Sequence, residues 1–496
     1  MTPTVDLAQI TAATFADARY GIFINNEWRS AQDGKTFTVE NPATGDVLMT
    51  IPDAGAADAQ AAIDAAYAAL PAWSALPAGQ RADMLRKVAA LMLERRERLA
   101  TIMTLEQGKP LAEARGEITY AASFLTWFAG EAERVYGQIV PANTPNKRIL
   151  VLRQPVGVCA LITPWNFPAA MLTRKLGPAL AAGCTAICKP AEQTPLSALE
   201  LGHLFVEAGF PPGVVNIIPA SNPIPFSNAI FDDERVRKIS FTGSTEVGRI
   251  LITNSAKTIK RMSLELGGNA PFIVFDDADL TAAVRGAITS KFRNSGQTCI
   301  CANRIFVQRG IYERFAEAFT REVAGMKVGN GLLPDSNIGP LIDLPARDKV
   351  QRHVENALAH GAQLLTGGTP LPAEANPTRT FWTPTVLANA STDMLVAQEE
   401  TFGPVAPLIP FDDEEQAITW ANDTPFGLSA YFFTRDVSRV FRVAERLEFG
   451  IIGANDALPS TAQAPFGGVK QSGLGREGGS VGIDEYLEVK YLALGI

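Results

Sequence analysis

The sequence predicts an α/β protein built on a doubly wound parallel sheet, and three observations predict it. From about residue 156, short and almost wholly apolar runs alternate with segments of helical periodicity. Strands buried on both faces read as continuous apolar runs, and strands separated by helices return parallel through right-handed crossovers. A second series with the same rhythm begins near residue 271, so the 496-residue chain carries more than one such unit. The composition, 47% apolar and 19% charged, is that of a globular protein with room for large cores.

The elements follow in order. The first 21 residues, MTPTVDLAQITAATFADARYG, contain Asp6 and Asp17 and lack a basic start before an apolar run, so they do not read as a secretory leader. From Gln80 to Gly108, Leu85, Val88, Leu91, Met92, Leu99, Ile102 and Met103 fall at helical spacing opposite Arg and Glu, which predicts one amphipathic surface helix packed on a sheet. The first α/β series reads as strands at 156–163, 185–189, 214–219, 236–243 and 262–268, with helices at 197–209 and 245–256. The second has strands at 271–275 and 304–308 and helices at 280–292 and 311–326. The Gly- and Pro-rich stretch 364–378 reads as a loop, and EYLEVKYLAL (485–494) as an exposed strand in search of an edge. No internal repeat or low-complexity tract interrupts the pattern, and no apolar run approaches the ~20 residues of a membrane span.

Composition excludes several kinds of chemistry. A net charge of −8 disfavours nucleic-acid and anionic-membrane binding. Three histidines, His203, His353 and His360, are too few and too scattered for a metal centre or a histidine relay, so no metal is expected. Five cysteines form no disulfide framework, which points to a reducing cytoplasm. Two motif matches mislead. GLGREG (473–478) has the letters of a dinucleotide loop but follows a polar turn rather than a strand, and reads as a Gly-rich surface loop. GGSVG (478–482) resembles a hydrolase elbow, but no histidine follows it in the chain.

Three other segments carry chemistry. FRNSGQTCICANR (292–304) sets Cys299 in a polar turn after a helix, where a thiol can be exposed. LELGGNAP (264–271) offers the carboxylate of Glu265 at a strand end, and TPWNFP (163–168) the amide of Asn166 at the carboxyl end of a strand, where open parallel sheets bind ligands. A thiol, a carboxylate and an amide suffice for covalent carbonyl chemistry.

With KPAEQTPLSAL (189–199), FTGSTEVG (241–248), EETFGPV (399–405) and PFGGVKQSGLGREG (465–478), these segments resemble the NAD(P)-dependent aldehyde dehydrogenases, in order, from FINNEW (23–28) to the last strand. FRNSGQTCICANR and the C-terminal stretch from GREGG most resemble the succinate-semialdehyde-oxidising branch. The resemblance implies a Rossmann-type cofactor domain (1–137 and 157–266), an α/β catalytic domain (267–455), a small bridging β-sheet for oligomerisation (138–156 and 483–496), and loops lining the substrate entrance (456–482). It also implies a homo-oligomer, dimer or tetramer.

The roles it implies are consistent with the residue types. Cys299 would attack the aldehyde as thiolate, and Asn166 with the Cys299 N–H would hold the resulting oxyanion. Glu265 would activate the water that hydrolyses the thioester. Thr163, Pro164, Trp165, Lys189, Glu192, Gly243, Ser244, Glu400 and Phe402 would contact the cofactor. Glu192 favours NAD by repelling a 2′-phosphate, while Lys189 leaves NADP possible. Arg174, Arg293 and Ser460 would take an ω-carboxylate on a small semialdehyde substrate. Succinate semialdehyde is the first expectation, with glutarate or 2-oxoglutarate semialdehyde or a broader aldehyde range as alternatives. The loop 454–468 departs from the family's familiar versions and bears on chain length. Cys301, two residues from Cys299, suggests a reversible disulfide. A cysteine hydrolase or acyltransferase is the rival class, but it needs a histidine close to Cys299 in space.

Overall fold

The computed structural model describes residues 6–496; the five preceding residues, with that part of the leader argument, lie outside the description. Two large sheets dominate it. The first has eight strands in the order Glu27–Arg29, Ile22–Ile24, Val215–Ile217, Thr185–Lys189, Val158–Ile162, Val236–Thr242, Arg261–Glu265 and Gly473–Leu474. Its middle five, from Val215–Ile217 to Arg261–Glu265, are mutually parallel, and the pairings outside them are antiparallel. The second has seven strands, in the order Gln363–Thr366, Thr385–Ala388, Val405–Phe411, Ala302–Gln308, Ala270–Val274, Ser429–Phe433 and Ile451–Ala454. There too all pairings but the first are parallel. Helices cover both faces of each sheet, and the buried apolar side chains fall into a cluster on each face.

A third, three-stranded antiparallel sheet joins Leu487–Gly495 to Lys147–Pro155 and then to Gln138–Val140. The alternating C-terminal run thus finds its edge within its own chain. The strands and helices of the two α/β series fall where the apolar runs and the 3.6-residue spacing put them.

Four expectations need correction. The helix of 80–108 is two helices, Ala78–Glu94 and Arg96–Gln107, broken where Arg95 leaves helical geometry. They pack mainly on helices Leu111–Ala132 and Pro195–Ala208 rather than on a sheet, and the apolar stripe is buried. The 364–378 segment is not all loop, because its start belongs to the edge strand Gln363–Thr366. GLGREG is more than a surface loop: Gly473–Leu474 pairs with Leu264 and Glu265 as the last strand of the first sheet.

Candidate active site

In the first sheet the chain leaves Val158–Ile162 toward one edge and later starts Val236–Thr242 on its other side. This is the reversal of strand order beside which open α/β sheets leave a crevice. Thr163, Pro164, Trp165 and Asn166 follow the first of these strands, and Gly243 and Ser244 the second. Two adjoining cavities open there. One, of about 450 Å³, runs past Lys189 and Glu192. The other, of about 320 Å³, ends at Cys299, Glu400 and Phe402. Pro164, Trp165, Thr242, Gly243 and Ser244 line both.

The joined cleft has the chemistry of a dinucleotide site. Ser244 caps helix Thr245–Ser255, accepting the Val247 N–H at 3.3 Å, and turns the helix N-terminus toward the cavity, where anions are stabilised. Lys189 Nζ sits 3.4 Å from Glu192 Oε2, and burial pulls its ammonium below the usual lysine range. Among the described residues, the buried hydroxyls of Thr163 and Thr242 have no hydrogen-bond partner, which suits a polar ligand. Glu400 accepts the Gly268 N–H at 3.1 Å, and burial pushes its carboxyl up to about 7. Phe402, at φ 55°, sets its ring edge-on to Trp165 with centroids 5.5 Å apart.

Cys299 stands beyond helix Leu280–Phe292 in a strained turn. Asn294, Ser295 and Gly296 all take left-handed geometry, with φ of 52°, 56° and 75°. Glycine is required at the third, because a Cβ there would lie 2.2 Å from the Gly403 carbonyl. The turn is held by Glu113, which accepts the Asn294 N–H at 2.7 Å, and by Ser295, which donates to the Gly339 carbonyl at 3.0 Å. The Cys299 thiol is half-buried. Desolvation pushes it up to about 12, Arg174 pulls down, and Glu400 and Glu265 push up. The thiol is therefore the resting form near neutrality.

Asn166 and Glu265 bracket that turn. Asn166 Nδ2 donates to the Gln297 carbonyl at 3.1 Å, two residues before Cys299, which leaves its second amide hydrogen free. Glu265 ends its strand 3% exposed, and its Oε2 lacks a hydrogen-bond partner among the described residues. A Cβ on Gly467 would stand 2.7 Å from Glu265 Oε1, so the carboxylate needs that glycine. Burial, and then the charge of Glu477, raise the Glu265 carboxyl well above the carboxylate range.

The two arginines expected to grip a carboxylate differ in setting. Arg174 is not free: it is 2% exposed and its Nε lies 2.5 Å from Glu477 Oε2, with the guanidinium 4.0 Å above the Phe466 ring. The contact is ionic rather than a formed hydrogen bond, since both atoms remain without one. Arg293 is half-buried over Phe167, 5.3 Å from the ring centroid, and pairs with no carboxylate among the described residues. Ser460 Oγ is buried and unpartnered. Cys301 is packed at the start of strand Ala302–Gln308, donating from Sγ to the Lys291 carbonyl at 3.1 Å.

Sequence reasoning missed several contributors. Glu477 and Lys175 form a buried pair at 2.5 Å beside Glu265, and their signal was the charge inside GREGG and inside an apolar helix. Lys349 and Asp343 line the cavity from a helix with no motif of its own. Of the histidines, His353 is buried between Thr401 at 3.1 Å and Glu399 at 3.0 Å.

A half-buried thiol at the end of the joined cleft, with an amide in the same cavity and a buried carboxylate whose charge reaches it, is the arrangement expected of a nucleotide-dependent oxidoreductase that works through a covalent intermediate. The aldehyde dehydrogenase family model matches residues 28–492, and the chain belongs to that family. It is 56% identical to the glutarate-semialdehyde dehydrogenase of Pseudomonas putida over 96% of this chain and 98% of that protein. It is 55% identical, with the same coverage, to the NADP-dependent succinate-semialdehyde dehydrogenase of Escherichia coli. Among solved structures it resembles betaine aldehyde dehydrogenase from Staphylococcus aureus in complex with NAD+, with a TM-score of 0.95 at 35% identity over 98% of this chain and 97% of that one.

Proposed function

We propose that this NAD(P)-dependent aldehyde dehydrogenase oxidises a short ω-carboxylate aldehyde to the dicarboxylate. Succinate semialdehyde is the first substrate and glutarate semialdehyde the second reading. The relatives at 56% and 55% identity, named for these two aldehydes, support that class and do not separate its members. The observation that carries the reading is Arg293. A half-buried guanidinium without a carboxylate partner, six residues before the thiol, is costly unless an anion completes it. The unpartnered Ser460 hydroxyl supports the same end of the substrate, and Arg174 contributes field rather than a free fork.

In this reading the Cys299 sulfur adds to the aldehyde carbon as its proton passes to solvent water at the half-buried thiol, and the carbonyl electron pair becomes the oxyanion. The free Asn166 amide hydrogen and the Cys299 backbone N–H hold the oxyanion, each such donor being worth about 2.7–4 kcal/mol. The nicotinamide, when bound, would supply the acceptor for the hydride that this carbon loses as it becomes the thioester. Thr163, Pro164, Trp165, Gly243 and Ser244 would hold the dinucleotide, Lys189 and Glu192 the adenosine ribose, and Glu400 and Phe402 the nicotinamide end. Glu265 then takes a proton from water, which attacks the thioester carbon and releases the acid and the Cys299 thiol. Its raised pKa makes the ionised carboxylate a stronger base than an ordinary one. Glu192 favours NAD over NADP.

The same proposal takes residues 1–137 and 157–266 as the cofactor domain and 267–455 as the catalytic domain, a division supported by the two sheets having separate cores. It takes 138–156 and 483–496 as the oligomerisation strands of a homo-oligomer and 456–482 as loops at the substrate entrance. Free thiols at all five cysteines support a cytoplasmic setting.

The test is kcat/KM for matched ω-carboxy and plain aldehydes with both cofactors. Arg293→Ala is expected to lower kcat/KM for the acid aldehyde by about 100-fold, the loss of a charged contact, and for the plain aldehyde far less. Equal losses would refute the assignment.

A further inference from the structure

Two charges are buried together where the reaction makes no direct use of them. Lys109 and Glu117 are 1% and 3% exposed, and Lys109 Nζ lies 2.5 Å from Glu117 Oε2. Taking two ions out of water is costly, and the cost is offset only where the remaining protons and lone pairs are also satisfied. Their other bonds all converge on one segment. Lys109 Nζ donates to the Asn166 carbonyl at 2.7 Å and lies 4.0 Å from the centroid of the Phe167 ring. Glu117 Oε1 accepts the N–H groups of Ala169 at 3.0 Å and Ala170 at 3.2 Å, in the first turn of helix Pro168–Ala182. Asn294 Nδ2 adds a second bond to the Asn166 carbonyl at 2.9 Å, from the strained turn that leads to Cys299.

We propose that the Lys109–Glu117 pair is a positioning device for the Asn166 amide. It fixes the backbone on both sides of that residue so that the free amide hydrogen points at the forming oxyanion. This rests on the reading of Asn166 as the oxyanion donor. Such a donor is effective only when held to within about 0.5 Å of its productive place. Asn166 follows a strand and precedes a helix in a segment with proline on both sides, PWNFP, so regular secondary structure does not hold it. A charge-assisted bond to its carbonyl does. Glu117 orients the ammonium and caps the helix at once, which couples the helix start to the amide.

The experiment is a mutant cycle read by kcat, by KM for the nicotinamide cofactor and by melting temperature. Lys109→Met is expected to lower kcat by about 10-fold or more, as misplacement of a catalytic group does, and to leave the cofactor KM unchanged. Glu117→Gln keeps an oxygen for Ala169 and Ala170 but loses the charge that orients the ammonium, and is expected to lower kcat less. The double variant leaves no unpaired buried charge. It is expected to regain the melting temperature lost in Lys109→Met while keeping its low kcat. In an Asn166→Ala background, Lys109→Met is expected to cost nothing further, because it acts through that amide.

An equal loss in the Asn166→Ala background overturns the proposal, as does recovery of wild-type kcat in the double variant. An Asn166→Ala enzyme with unchanged kcat overturns instead the oxyanion reading beneath it, and it shows this without any Lys109 substitution.

Discussion

Glu265 and Cys299 share a difficulty: burial raises the carboxyl of the first well above the carboxylate range and pushes the thiol of the second up to about 12. For the proposed base the sign follows directly. A carboxyl with a raised pKa is inactive below that pKa and active above it, so hydrolysis of the thioester should gain rate as pH rises through a value above the ordinary carboxylate range. The expected pH profile of kcat has an ascending limb displaced upward. Glu265→Gln should abolish steady turnover while leaving a single burst of reduced nicotinamide, one per active subunit. A variant that turns over with an unchanged limb would remove Glu265 from the role. Arg174 and Lys175 lower the Glu265 carboxyl and Glu477 raises it, so that buried charge cluster tunes the base.

At the scale of elements, helix Pro168–Ala182 and the turn at Arg293–Gly296 do most to build the site. All 15 residues of the helix are buried, yet it carries Arg174 and Lys175, and Glu477 from the returning C-terminal segment pairs with both. The turn holds three successive left-handed residues, a strain tolerated because Glu113, Gly339 and Gly403 surround it. Cys299 and Cys301 both lie just past it, and the Cys301 bond to the Lys291 carbonyl must break before the two sulfurs can join. On the proposal that they do, peroxide takes two electrons from the pair, leaving a disulfide and water. Inactivation by peroxide should then be reversed by dithiothreitol in the wild type and become irreversible in Cys301→Ala. Identical sensitivity and recovery in the two proteins would refute the switch.

Across the whole molecule, the three-stranded sheet stands out for what it exposes. Val489 is 68% exposed, Ile139 81% and Tyr491 57%, and the outer edge of Leu487–Gly495 has no strand beside it among the described residues. On the proposal of a homo-oligomer, these apolar side chains and the open edge would form the association surface. Replacing Val489 and Tyr491 with lysine is expected to lower the solution mass measured by light scattering to that of a smaller assembly. An unchanged mass would move the interface elsewhere.

Much of this architecture was legible in the residues. Apolar runs marked the parallel strands because both faces of such strands are buried, and PWNFP, LELGGNAP and GQTC marked the site by residue type. The break at Arg95 was not legible, since the apolar stripe runs through it at unchanged spacing and the interruption is one of backbone geometry. The edge strand in GLGREG was hidden because two residues carry no periodicity and pair only with a strand some 200 positions away.

By itself the sequence determined which strands are parallel, which carboxylate and amide stand at strand ends, and which thiol stands in the turn after a helix. These follow from local pattern and composition, which act over a few residues. Only the tertiary structure decided that Arg174 is committed to Glu477 while Arg293 is free, and that Lys109 and Glu117 grip the Asn166 backbone. Those are pairings between buried charges, and which partners meet depends on how helices and loops pack once they leave water, where an unpaired charge is most costly.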